Sequence, residues 1–393
     1  KIINFPTKTI TSSENEYSNL EPWIQWYSFY TSLSYEEHKT FHLGDCLKSN
    51  HVNFIENLAK KNNVGIFGSM NLRPCHDYKI FIPDPWTETD SDKSYSSYYV
   101  NLAIKVLVNS NARLKLSYKS IFGLIILIGF PKKLKNIIVI IKILLSYVKK
   151  SRTNLASYFD YLYFKYAIRR IKKNNLNYSL IFLNGFAHIQ HHYLLSSNEV
   201  TGSNPLWYDG GKDQVLESLK IYNTIFKNLE NLNNMEIWII TGLSQDPQEK
   251  AIFYWRFKNH KNILEKFLNI NFEVFTRMTR DFEIEYYEEN DVLTIKKFLE
   301  NSYLIDENHN ITKAFTNIDI SKKNRVFVTF AYNGENENVF LCWNSLSVSL
   351  KEKLDFVAIK NGKHNGYGWA FCNTNKDNIP RLVNIWDLNK YIY

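Results

Sequence analysis

The chain has 393 residues, a net charge of +9, 45% apolar residues and 16% aromatics. That composition belongs to a folded protein with a sizeable core, and it excludes a disordered or low-complexity chain. Four well-separated cysteines, Cys46, Cys75, Cys342 and Cys372, form no C-x-x-C pair, which argues against a zinc cage or a disulfide framework.

No charged n-region followed by an apolar run opens the chain, so no signal peptide is expected. Without an initiator Met, the sequence is expected to start inside the fold, with an earlier strand missing. Phe5-Pro6-Thr7 leads through a polar loop into Pro22-Trp23-Ile24-Gln25-Trp26. Pro22 suits the first turn of a helix, and Glu21 just before it faces that helix's positive end. Ser34 to His38 reads as a turn, in which Glu36 and Glu37 point apart and His38 is solvated or structural, like His42. Helical spacing runs from Val52 to Lys61. Val64 to Ser69 reads as a strand ending in Gly68-Ser69-Met70-Asn71. The prolines of Phe81-Ile82-Pro83-Asp84-Pro85-Trp86 impose an extended loop.

Tyr98 to Lys173 reads as a helical insertion. Between Lys105 and Lys173 sixteen Lys or Arg face a single acid, Asp160, so the rest of the chain is mildly acidic. This concentrates a surface for an anionic partner in one segment. Its apolar runs, Ile121 to Phe130 and Ile137 to Val148, are broken by Pro131-Lys132-Lys133 and by Lys142. Neither reaches the roughly 20 residues that a bilayer span needs. They fit a hairpin lying in a membrane interface, or a helical cap whose apolar faces pack together.

Tyr178 to Leu183 reads as a buried parallel strand, and it ends in Asn184-Gly185-Phe186-Ala187-His188-Ile189-Gln190-His191-His192. Ligands bind at the C-terminal ends of strands in an open α/β sheet, and imidazoles there are candidates for metal binding or proton transfer. Asp213 to Leu232 follows as an amphipathic helix. Met235 to Thr241, Phe272 to Thr276, Val326 to Phe330, Val339 to Trp343 and Phe356 to Ile359 read as further strands. Gly362-Lys363-His364-Asn365-Gly366 reads as a tight exposed turn. The alternation predicts an α/β protein with a mainly parallel central sheet covered by helices on both faces, plus a helical insertion. Its parts are 1–97 and 174–393 as halves of the core, and 98–173 as the insertion.

The order of these signals resembles the alkaline phosphatase superfamily, in its phosphodiesterase, nucleotide pyrophosphatase and sulfatase-like branches. The likeness rests on Phe5-Pro6-Thr7, Thr31 to Lys39, Asn184 to His188, Thr241 to Gln245, Gly362 to Asn365 and Ile379 to Asp387. In that family one metal is held by a D-x-x-x-H motif and a late His, for which the likeness offers His188 and His364, with Asn184 in place of the Asp. Leu243 and Ser244 stand where the second metal's Asp and His belong, and the nucleophile position falls at or beside Pro22, leaving Glu21 as the nearest reactive side chain.

The resemblance implies a divergent hydrolase or transferase acting on a phosphate, sulfate or glycosyl group of an anionic or lipid-linked glycan. At most one divalent ion (Zn, Mn or Mg) is expected, with His188, His191 and His364 as ligands. Glu21 and His188 are the expected catalytic residues, with Asn184, Gln25 and Gln190 as substrate contacts. A catalytically inactive relative that binds a glycan or phospholipid is the alternative. Trp23, Trp26, Trp86 and Trp207 are candidate sugar-stacking platforms. Nucleic acid is the least favoured partner, since no recognition motif accompanies the basic segment. The expected location is the cytoplasm, or its membrane surface.

Overall fold

The computed structural model describes residues 5–87, 89–108, 117–129, 155–200, 213–232, 234–277, 279–322, 324–334 and 336–392. These fall into two compact units. One holds the described chain up to Gln248 together with Gly362–Tyr393, and the other is Glu249–Asn361.

The first unit contains two sheets. In chain order its elements begin with β1 (Thr7–Ser12), α1 (Pro22–Thr31), α2 (Tyr35–His38), α3 (Phe54–Ala59), β2 (Val64–Phe67), β3 (Ile80–Ile82), α4 (Tyr95–Val108), α5 (Tyr118–Ile128) and α6 (Leu155–Asn174). They continue with β4 (Tyr178–Ile181), α7 (Gly185–Tyr193), α8 (Gln214–Glu230) and β5 (Trp238–Ile240). Two long strands, β6 (Ser244–Phe257) and β15 (Leu354–Asn365), pair with each other and carry the chain between the units. The first unit then closes with β16 (Tyr367–Cys372), β17 (Leu382–Asn384) and a 3-10 helix, Ile385–Tyr391.

A three-stranded sheet, β3-β2-β4, is parallel throughout. Strand β2 is buried along its whole length, and its side chains alternate between two cores. Val64 and Ile66 join Phe29, Tyr30 and Ile55 from α1 and α3, while Phe67 joins Val100, Leu127 and Tyr163 from α4, α5 and α6. Burying each such side chain contributes roughly 1.5–3 kcal/mol. The other sheet, β17-β1-β16-β5, is mixed: β1 runs parallel to β17 and antiparallel to β16, which is antiparallel to β5.

The second unit is antiparallel. Its strands are β7 (Phe272–Thr276), β8 (Asp281–Tyr286), β9 (Tyr303–Asp306), β10 (Ile311–Lys313), β11 (Phe315–Lys322), β12 (Arg325–Phe330), β13 (Val339–Trp343) and β14 (Leu346–Ser349). They form the four-stranded sheets β11-β12-β8-β7 and β10-β9-β13-β14, with the helices α9 (His260–Leu264) and α10 (Asp291–Asn301) beside them. Phe257, Phe282, Phe298, Phe315 and Phe330 pack against one another in its interior, at edge-on to tilted angles.

A mainly parallel central sheet is therefore not what the chain builds. Three four-stranded sheets with antiparallel pairing outweigh the one small parallel sheet. The apolar runs at 272–276, 326–330 and 339–343 are strands, but each has a neighbour across a turn too short for a crossover, so they pair as hairpins. Asn344, with φ of 52°, makes one such turn between β13 and β14. The insertion is helical where it is described, in α4, α5 and α6. The run Ile137–Val148 and Lys132, Lys133, Lys135 and Lys142 lie outside the described residues.

Candidate functional site

Helix α1 starts where Pro22 predicts, with Glu21 as its N-cap residue in extended conformation. Its entry is fixed by buried polar groups. Gln25 is completely buried and donates from Nε2 to the Asn19 carbonyl at 3.1 Å, so it holds the chain before the helix and is closed to solvent. Asn71, buried after β2 with φ of 54°, accepts from Gly44 N–H at 3.0 Å and donates to the Trp23 carbonyl at 3.2 Å. Its own N–H donates to Asp84 at 3.1 Å. Asp84 is fully buried after β3 and also accepts from the N–H groups of Trp86 and Thr87 and from the Thr87 hydroxyl. Burial raises its carboxyl pKa against the pull of these donors. The ends of two parallel strands thereby seat α1 and set the place of Glu21.

Helix α7 begins shortly after β4, so the polar stretch that follows the strand is helical from Gly185. Asn184 makes no side-chain cap. The first N–H of the helix, at Gly185, goes to the buried Asp160 carboxylate at 2.6 Å, and Tyr222 donates its hydroxyl to the same oxygen. Burial pushes the Asp160 carboxyl up to about 7, against those donors. The positive end of α7 is thus neutralised from within the protein. One side of the helix presents His188 and His192, one turn apart with ring centroids at 4.3 Å. Crowding by protein atoms lowers the His188 pKa towards about 4, but the residue is exposed, and water at the ring argues for a smaller depression.

His191 points elsewhere. Its Nε2 lies 3.3 Å from Nε2 of His364, with the rings nearly edge to face. His364 sits in the last residues of β15, half-buried in a strand and not in an exposed turn. Its Nδ1 is 2.6 Å from the Leu20 carbonyl and 3.7 Å from the Glu21 carboxylate. Gln245, at the start of β6, places Nε2 3.3 Å from the Ala187 carbonyl and 3.2 Å from His191 Nε2. Next to it, Asp246 accepts from Asn365 Nδ2 at 2.7 Å. Four separate stretches therefore meet: the approach to α1, the middle of α7, the start of β6 and the end of β15.

The orientation of one amide bears on which imidazole donates. The Leu20 carbonyl only accepts, so His364 Nδ1 carries hydrogen. With the Gln245 amide donating to Ala187 and to His191, His191 Nε2 is an acceptor, and His364 Nε2 must be the donor towards it. His364 is then an imidazolium, with the Glu21 carboxylate as counter-charge. Turning the Gln245 amide over would reverse the demand on His191 at the loss of the Ala187 bond, the amide oxygen then facing that carbonyl. The cluster can hold one proton more or fewer without moving its backbone.

Of the residues expected from sequence, Glu21, His191 and His364 come together, whereas His188 pairs with His192. Gln190 contributes its backbone carbonyl, which accepts from the Leu194 N–H and lies beside Gly362. Gln245 and Asp246 were not among the expected site residues. The one signal for them was their place just after a strand and a glycine turn, where Gly242 has φ of 69°. Trp23 donates from Nε1 to the Phe41 carbonyl, and Trp26 packs edge-on against Phe29 and Phe182; Trp207 lies outside the described residues.

The imidazole pair partly fits a metal. Two nitrogens each about 2.0–2.1 Å from one tetrahedral ion lie about 3.3 Å apart, and a metal-binding imidazole commonly gives its other N–H to a carbonyl. Among the described residues, however, no third ligand joins this pair within 4.8 Å. The group that does bring three ligand atoms that close is Cys75, His76 and Asp77, consecutive residues in which His76 lies at the surface. Compared with protein families, curated proteins and solved structures, the chain matches none.

Proposed function

We propose that the first unit is a hydrolase or transferase acting on a phosphate, sulfate or glycosyl group of an anionic or lipid-linked glycan, with its chemistry at His191, His364 and Glu21. The observation that carries this reading is the 3.3 Å contact between the two Nε2 atoms, anchored by the Leu20 carbonyl and flanked by the Glu21 carboxylate. An imidazole that can gain or lose a proton at Nε2 is suited to protonate a leaving oxygen. A carboxylate beside it, at a helix start, is suited to be the base or the nucleophile. The excess of basic residues in the same unit supports an anionic substrate.

A divalent ion, if this unit uses one, would be held by His191 and His364 and would polarise an oxygen of the transferred group. Leu20 would still orient His364 and Glu21 would balance charge, while Gln245 would yield His191 Nε2 to the ion.

The test is turnover of phosphate monoesters, phosphodiesters and sulfate esters by the native chain and by His364→Ala and Glu21→Gln. Either variant should lower kcat by roughly 10²–10⁴ while KM changes little. Titration with Zn²⁺ or Mn²⁺ should give at most one site, weakened in His191→Ala. Binding of a glycan or phospholipid without any turnover would replace this reading with an inactive binder. Two metals per chain would overturn the assignment of ligands.

A further inference from the structure

We propose that the outer face of α4 and α5 docks on an anionic lipid surface. Helix α5 is turned inside out relative to an ordinary surface helix. Its inward side carries Ser120, Gly123 and Leu127, all buried, while Tyr118, Ile121, Phe122 and Ile125 face outward. The outward residues recur at three- and four-residue spacing, and Tyr118, Ile121 and Ile125 are 79%, 48% and 57% exposed. Gly123 is what lets the two helices close: a Cβ there would lie 1.9 Å from the Tyr99 carbonyl oxygen of α4. Tyr95 and Tyr98 of α4 extend the patch, and Tyr95 and Tyr99 pack edge-on against Phe122.

The charge around this patch selects the partner. Helices α4, α5 and α6 carry Lys105, Lys119, Lys165, Arg169, Arg170, Lys172 and Lys173, and their one acid, Asp160, is buried beneath α7. Aromatic and aliphatic side chains beside many cations match the headgroup region of an anionic leaflet. No helix among the described residues is long and apolar enough to cross a membrane, so the contact would lie on the surface.

Sedimentation of the full chain with phosphatidylcholine vesicles, with and without phosphatidylglycerol, tests this. Binding should be at least tenfold stronger to the anionic vesicles. The double variant Ile121→Asp/Ile125→Asp should lose at least tenfold with an unchanged melting temperature. Lys119→Glu should lose at least fivefold, since each basic residue near the surface contributes roughly fivefold. Equal binding to both vesicles, no binding, or partition unchanged in either variant overturns the proposal. So does a lower melting temperature in the apolar variant, which would show the stripe to be covered by the chain itself.

Discussion

Two polar clusters in the same unit use similar side chains to opposite ends. Around His38, Asn71 and Asp84 the groups are buried and the hydrogen bonds that join them each run in one direction. His38 Nδ1 accepts from the Thr40 N–H at 2.9 Å, so its Nε2 carries the proton and donates to Ser28 Oγ at 2.9 Å. Around His191 and His364 two imidazole nitrogens face each other, and which of them donates depends on one amide. A cluster in which every proton is committed stabilises a fold. A cluster with an undecided proton, half-open to solvent, can do chemistry.

The sharpest way to break this comparison is to empty each cluster in turn. Asp84→Ala would strand the donors of Asn71, Trp86 and Thr87, and should destabilise the protein by about 5 kcal/mol in urea unfolding. His191→Gln, by contrast, should leave the urea midpoint almost unchanged while removing turnover. If the two variants had equal effects on stability, the distinction between the clusters would fail.

The pH dependence of stability offers a second, smaller test with two opposite signs. Asp160 has a folded pKa raised to about 7 by burial, so the native state binds a proton that the unfolded chain releases near its ordinary value. Its contribution is complete below about pH 4 and is lost as pH rises through 7, up to about 4 kcal/mol in all. Urea midpoints from pH 4 to 8 should show this decline in the native chain and not in Asp160→Asn.

His38 works the other way. Burial lowers its pKa to about 4, so its contribution is present above about pH 6.5 and is lost as pH falls through 4. The loss should reach about 3 kcal/mol at most, and His38→Gln should flatten it. If His38→Gln left the acid side of the profile unchanged, the imidazole would not be held neutral by the fold.

The smallest expected effect comes from Gly362→Ala. The new Cβ would lie 2.4 Å from Gln245 Oε1, so the amide must leave its place beside His191. We expect a loss of about 1 kcal/mol in stability and about tenfold in kcat. Unchanged activity would mean that Gln245 does not set the protons of the imidazole pair.

Local chemistry was legible from the sequence alone. Pro22 and Glu21 mark the start of α1, the 3.6-residue periodicity marks α3 and α8, with Asp213 capping the latter, and the apolar runs at 64–67 and 178–181 mark β2 and β4. Each of these signals lies within a few residues, where backbone sterics and side-chain spacing act directly. Strand direction was not legible, because a run that is apolar on both faces looks alike in a parallel and an antiparallel sheet, and only the partner across the ladder decides. Nor could the sequence choose between His188 and His191 as the partner of His364. They are three residues apart on one helix, and the rotation of α7, set by Asp160 at its start and by the seating of β15, turns His191 and not His188 towards the strand end.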